Sequence, residues 1–283
     1  MRASEDGGTG RRTRLRIWRR KAWGFDSPSS HDEHRFLMTE LAVYRWLAFG
    51  FIALGASIFI YLQTRVAPYG RHSKGNEGPT VSTRTGWFVM EAPAALLVPV
   101  YFLLHPPPAM AWIYLALWEL HYAYRAFVFP FRMRGSDRPM PLLVVGSGFA
   151  FNVANSYLIG RGFTLESPEI SPFRLLLGGA IFLFGMAINR RSDRILFDLR
   201  GPGETGYKIP VGGLFRWISC PNYAGEIIEW IGFAIAMPTW GAAAFAFWTF
   251  ANLAPRARAH HRWYRDNFLD YPKERRALIP YLW

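Results

Sequence analysis

The sequence has one cysteine, Cys220, in 283 residues, so no disulfide can close within the chain. It has seven histidines, but not in the clustered pairs that hold a di-iron centre. His260 and His261 are adjacent and point apart on a helix, while His31 and His34 lie near the N-terminus, so no metal site is expected. No internal repeat is visible. Acidic residues are scarce, 20 against 33 lysines and arginines, giving a formal charge of +13. The basic run "RRTRLRIWRRK" lacks the apolar segment a signal peptide would need. It reads instead as an arm that touches anionic lipid head groups. No nucleic-acid-binding fold accompanies it, and nucleic acid is not expected as a partner. "GPGETG" fits G-x-G-x-x-G but lacks the preceding strand and following helix, which excludes a Rossmann fold.

Long stretches also lack charge. "IGFAIAMPTWGAAAFAFWTFANLA" has none. Crossing a bilayer takes about 20 apolar residues. Seven stretches approach this length: 39–63, 85–105, 108–128, 140–161, 172–189, 224–238 and 239–254. The last two are short and meet at "MPTWG", which predicts a tight hairpin. The expected fold is therefore an all-α integral membrane protein of about seven transmembrane helices, with a basic tail over 1–37 and a membrane domain over 38–283. Lysine and arginine concentrate in the loops near 64–84, 129–139 and 190–223 and in the C-terminal tail. These loops, and the C-terminus with them, are expected to face the cytoplasm. The basic N-terminal arm runs against this rule, but several loops agree with one another. Neither a bacterial inner membrane nor an endoplasmic reticulum membrane is selected.

Polar residues inside apolar segments need a reason. Glu91, in "GWFVMEAPAALLVPVYFLL", is a carboxylate in a span, and such groups face a partner or a cavity. Tyr114, Trp118, Tyr122 and Arg125 share one face of the next span. A phenol near a carboxyl makes an apolar site with proton donors. Two polar stripes follow. Asn189, Asp193 and Arg200 form one, and Asn222, Glu226 and Glu229, in "PNYAGEIIEW", form the other. Facing each other between helices, they would line a pocket for a large polar ligand, with arginines for phosphate.

The stretches "WFVMEAP", "HYAYRAFVF", "GMAINRRSDRIL", "PGETGYKIPVGGLF", "NYAGEIIEWIGFA" and "HHRWY…DYPKERRALIPYLW" resemble the steroid 5α-reductase family over about residues 65–283. The resemblance implies a seven-helix membrane enzyme that uses NADPH to reduce the C4–C5 double bond of 3-oxo-Δ4 steroids. It assigns Glu91 and Tyr122 to the steroid 3-keto oxygen. It assigns Asn189, Asp193, Arg200, Tyr207, Asn222, Glu226, His260, Tyr264 and Arg275 to NADPH, and Trp87 and Trp230 to packing against the steroid. Met90, Ser147 and Phe197 depart from residues that occur in the family, the last two near the cofactor phosphates.

A hydrogen-bond donor aimed at the carbonyl oxygen of an enone stabilises the charge that builds there during hydride addition. A neutral carboxylic acid beside a tyrosine supplies two such donors, the arrangement that ketosteroid isomerase uses. Glu229, one turn beyond Glu226, reads as structural. Two other enzymes fit the same layout: a membrane reductase of another enone or polyprenol lipid, and an isoprenylcysteine-type methyltransferase. A non-enzymatic lipid-binding protein would leave Glu91 and both stripes without a ligand. No protein partner is evident.

Overall fold

A computed structural model of the chain describes residues 30–66, 70–72, 78–133, 137–199, 201, 204 and 206–283. Arg200 and most of the basic tail lie outside the described residues. Residues to Ala42 and residues from Val43 form two units. In the first unit, the described residues are the opening turns of helix α1 (Ser30–Thr64), where Thr39 Oγ1 donates back to the Arg35 carbonyl at 2.9 Å.

The second unit holds the rest of α1, then α2 (Thr83–Leu104), α3 (Trp112–Phe127), the short α4 (Phe129–Arg132), α5 (Leu142–Glu166), α6 (Pro172–Asp198), α7 (Pro221–Ala236) and α8 (Trp240–Asn267). Among the described residues, the sheet structure is one antiparallel ribbon of β1 (Thr80–Ser82) and β2 (Pro139–Pro141), with Val81 opposite Met140. Pro139 and Pro141 cannot donate to a ladder, and a two-stranded ribbon tolerates them because both strands are edges. The ribbon ties the entry of α2 to the entry of α5.

Each of the seven apolar stretches falls on a helix. Four helices, α1, α2, α5 and α6, are long and apolar enough to cross a membrane. Helices α3 and α7 have 16 residues each, and the end of α8 is basic. The exterior is apolar: Leu176 is 74 % exposed, Phe184 62 % and Leu143 81 %. Such a surface is costly in water and natural in lipid. The chain is an all-α membrane protein.

Local chemistry sets the helix ends. Ser82, Ser171 and Thr239 cap α2, α6 and α8 by accepting from Thr85, Arg174 and Ala242 backbone N–H groups. Pro172 and Pro221 open α6 and α7, where a missing N–H does no harm. Only Met237 to Thr239 separate α7 from α8, the tight hairpin expected from "MPTWG". Pro93 and Pro99 lie inside α2, and neighbouring helices hydrogen-bond to its carbonyls. Asn152 Nδ2 reaches the Met90 carbonyl at 2.7 Å, Ser156 Oγ the Pro93 carbonyl at 3.2 Å and the Trp118 indole the Ala94 carbonyl at 2.8 Å. The C-terminal segment is pinned to the entry of α7 by Ser219 N–H to Arg276 (2.8 Å), Arg276 N–H to Trp217 (2.9 Å) and Cys220 N–H to Ala277 (3.2 Å).

The tightest packing joins α6 to α7. Gly178 and Gly185 on α6 face Gly232 and Gly225 on α7, backbone to backbone. A Cβ on any of the four would lie less than 3.0 Å from backbone atoms of the other helix, a distance real Cβ atoms do not reach. Small residues permit such approach between membrane helices. The seam brings Gly225 against Asn189, so the polar residues just beyond it must meet.

Gly185→Ala should lower the thermal unfolding midpoint, since overpacking typically costs about 1–3 kcal/mol. Gly179→Ala, where a Cβ meets nothing within 4 Å, should raise it slightly, because alanine replaces glycine in a helix without a clash. Thermal scans of both variants in one detergent test the seam through these opposite signs.

Candidate active site

Past the glycine seam, the two polar stripes interlock. Asn189 Nδ2 donates to the Asn222 carbonyl at 3.0 Å and to Glu226 Oε2 at 3.4 Å. Asn222 Nδ2 donates to Asp193 Oδ1 at 3.2 Å. The four residues form one network across α6 and α7.

Arg125 of α3 joins them. Its guanidinium lies 3.7 Å from Asp193 Oδ2 and 3.8 Å from Glu226 Oε2. It also sits over the Trp87 ring at 4.5 Å and the Phe129 ring at 4.2 Å. One partly buried cation therefore sits between two carboxylates and against two aromatic faces. The sequence put Arg125 on the face of Tyr122 but gave it no role in a site.

Tyr122 lies one turn before Arg125 and is buried. Its ring stacks on Trp118 at 4.4 Å and lies 5.6 Å from Trp230 and 6.5 Å from Phe245. Glu91, Glu226, Arg125 and Glu229 are its charged neighbours. Glu91, on α2, accepts from Asn152 Nδ2 at 3.3 Å through Oε2. Asn152 thus holds both the Glu91 side chain and the backbone beside it. The structure brings Glu91, Tyr122, Trp87, Trp230 and the α6–α7 network into one region. Asn152 has no distinguishing spacing in the sequence.

Glu229 turns to α3 rather than into the stripe. Its Oε1 meets His121 Nδ1 at 2.8 Å, and both residues are buried. This is the structural part expected of Glu229. His121 could be found as its partner only once α3 was seen to pack against α7.

The remaining cofactor candidates among the described residues gather where the chain leaves the apolar segments. His260 Nε2 meets the Tyr223 hydroxyl at 3.1 Å, and its Nδ1 meets His72 Nε2 at 3.1 Å. Arg71 lies over the rings of Tyr207 (4.8 Å), Trp263 (4.8 Å) and Tyr264 (4.6 Å), and donates to the Tyr264 hydroxyl at 3.4 Å. Arg275 donates to the Pro210 carbonyl at 3.0 Å and lies over Tyr271 at 5.2 Å. Arg138 donates to the Tyr207 hydroxyl at 3.2 Å. Sequence reading missed Arg71 and His72, which a 3-10 turn at Gly70–His72 brings to the cluster. Burial and then the nearby Arg71 lower the His72 pKa to about 4, and the same causes in the same order hold His260 well below the ordinary histidine value. Both rings are therefore neutral at pH 7, and their hydrogen bond needs one to donate and the other to accept.

Burial pushes the Cys220 thiol up to about 12, so it is not a thiolate at neutral pH. Among the described residues no group of three or more metal-ligating side chains is present. In the described part of "GPGETG", Glu204 Oε2 accepts from the Gly201 N–H at 2.8 Å and pairs with Lys208 at 2.6 Å. Its described residues belong to no helix or strand.

Three of the buried side-chain atoms without a hydrogen-bond partner lie among these residues. Asp193 Oδ2, Arg71 Nη1 and Arg275 Nε are buried without a hydrogen-bond partner. Two guanidinium donors suit phosphate oxygens, and a carboxylate acceptor suits a hydroxyl or an amide. A dinucleotide presents all of these, so the residues fit such a cofactor.

A family model for 3-oxo-5-alpha-steroid 4-dehydrogenase matches residues 138–283. The 3-oxo-5-alpha-steroid 4-dehydrogenase 1 of Bos taurus is 41 % identical over 258 residues, covering 88 % of this chain and 98 % of its own. The enzyme of the same name from Homo sapiens is 40 % identical over 245 residues, with 83 % and 94 % covered. Steroid 5-alpha-reductase DET2 of Gossypium hirsutum is 39 % identical over 253 residues, with 85 % and 96 % covered. Near-complete coverage at this identity means that the chain belongs to the 3-oxo-5-alpha-steroid 4-dehydrogenase family.

Proposed function

We propose that this chain is an NADPH-dependent oxidoreductase acting on CH–CH groups, which reduces the C4–C5 double bond of 3-oxo-Δ4 steroids. The observation that carries this reading is Arg125. It links the Glu91–Tyr122 region to the polar network of α6 and α7, so a ketone site and a dinucleotide site adjoin.

Bound NADPH supplies the hydride that C5 accepts. The protein meets the charge that builds on the 3-keto oxygen, through the Tyr122 hydroxyl and the carboxyl O–H of a neutral Glu91. Asn152 donates to Glu91 Oε2, which favours the acidic proton on the other oxygen. Trp118, Trp230 and Phe245 wall this region and keep water out. Trp87 and Trp230 offer flat apolar faces to the fused rings. Asn189, Asp193, Asn222 and Glu226 would hold the nicotinamide end of the cofactor. Arg71, Tyr207, His260, Tyr264 and Arg275 would hold the phosphates and the adenine end, and Arg200 is assigned there by resemblance. Arg71 and His72 extend the set that the sequence pointed to. The lysines and arginines of these loops support a cytoplasmic position for this end and for the C-terminus, where the cofactor is supplied.

Glu91→Gln and Tyr122→Phe should each lower kcat by about 10²–10³, the usual loss for one oxyanion donor, while NADPH affinity stays close to that of the parent. Progesterone or testosterone turnover, with NADPH binding measured separately, checks both. Full turnover by Glu91→Gln would remove it from the mechanism.

The histidine pair makes stability depend on pH. The unfolded chain binds a proton at His72 near pH 6.5, the folded chain only near 4. The contribution is therefore complete above about pH 6.5 and is lost as pH falls towards 4. The thermal midpoint should drop across that window, and His72→Gln should flatten the drop. An unchanged slope in this variant would show that His72 is not the group responsible.

A further inference from the structure

The outward face of α6 takes no part in the site above. Asn189 and Asp193 face α7, whereas Arg191 and Arg194 point away from it and are exposed. On that face lies a groove of about 670 Å³, bounded by Arg190, Arg191 and Arg194 on the helix and by Gly212 and Gly213 on the loop opposite. The two glycines turn through φ of 92° and 50°, where side chains are disfavoured. The loop lies close to the helix: a Cβ on Gly213 would contact Ile195 Cδ1 at 3.4 Å and Arg191 Nε at 3.9 Å. Asp198 adds one carboxylate against the three guanidinium groups. Arg190 is committed elsewhere, with Nη2 donating to the Leu120 carbonyl and the guanidinium 3.7 Å over Tyr124. Arg191 and Arg194 remain to attract an anion.

The position of the groove narrows the choice of anion. Phe184, Ala187, Arg191 and Arg194 follow one another at helical spacing along one face of α6. Phe184 is 62 % exposed and belongs to the apolar half of a helix able to cross a membrane. The stripe therefore runs from a lipid-facing surface directly into the arginines. Trp217, 39 % exposed on the same connecting segment, is a residue typical of the membrane–water boundary. A soluble anion has no use for this apolar approach, whereas a lipid uses both parts. Basic pockets at the cytoplasmic end of membrane helices suit anionic head groups.

We propose that the groove between α6 and the Gly212–Gly213 loop binds the phosphate head group of an anionic phospholipid, with an acyl chain lying along Phe184. This site is separate from the dinucleotide site and does not depend on the reductase reading.

The test titrates the detergent-purified full chain with phosphatidylglycerol or phosphatidylcholine and counts bound lipid by native mass spectrometry. The parent should retain one phosphatidylglycerol in preference to phosphatidylcholine. R191Q and R194Q should each weaken this about fivefold and R191Q/R194Q about 25-fold, the effect of one or two cations near an anionic surface. R191K/R194K should keep most of the affinity. Circular dichroism checks that the helices persist, as substitution of exposed side chains should allow. Equal phosphatidylglycerol retention by R191Q/R194Q would overturn the proposal. So would displacement of the lipid by inorganic phosphate at equal concentration, which would indicate a site for soluble anions. Weakened NADPH binding with unchanged lipid binding would assign the groove to the cofactor instead.

Discussion

The direct backbone contact between α6 and α7 is the constraint from which the site follows. Four glycines, Gly178, Gly185, Gly225 and Gly232, let the two helices approach more closely than any side chain would permit. In lipid there is little hydrophobic force to drive helices together, so close van der Waals contact must supply it. At that separation Asn189 and Asp193 are within hydrogen-bonding reach of Asn222 and Glu226. A wider spacing would leave the same groups facing apolar neighbours without partners, at about 1–3 kcal/mol for each neutral group and more for a charged one.

The seam also explains how a membrane protein can hold so many ionisable groups. Asp193, Glu226 and Arg125 lie together, and His121 pairs with Glu229. Each charge alone would be expensive in this setting. Together they offset one another, while Asp193 keeps an oxygen without a hydrogen-bond donor. The His121–Glu229 pair, buried at 2.8 Å beside Trp230, serves the fold.

The stripes were legible in the sequence because a helix repeats its faces regularly, so Asn189 with Asp193 and Asn222 with Glu226 could be placed before any contact was known. The tight α7–α8 hairpin was legible from its proline and glycine. Other features required the tertiary contacts. Arg125 was visible on the correct face, but its carboxylate partners are far along the chain. Glu229 shares the spacing of the stripe, yet its side chain meets α3. Arg71 and His72 come from a loop whose sequence has no periodicity to read. The glycine seam was missed because glycines in a helical pattern gain meaning only when the opposite helix carries its own in register. Of the seven apolar stretches, α3 and α7 are shorter than a typical span, and α8 ends in charge, so length and composition mark four helices. These three shorter or mixed segments carry much of the site.

The central claim is that Glu91 and Tyr122 hold the ketone while a dinucleotide lies along the α6–α7 network. The most direct measurement is the fate of deuterium from NADPH labelled at the transferring position, with progesterone as substrate and the purified protein in detergent. The account predicts a product that has gained two hydrogens over the parent steroid, one of them the deuterium, at C5. NADPH that binds without any label reaching C5 of progesterone or testosterone would contradict the assignment of this site to 3-oxo-Δ4 steroids.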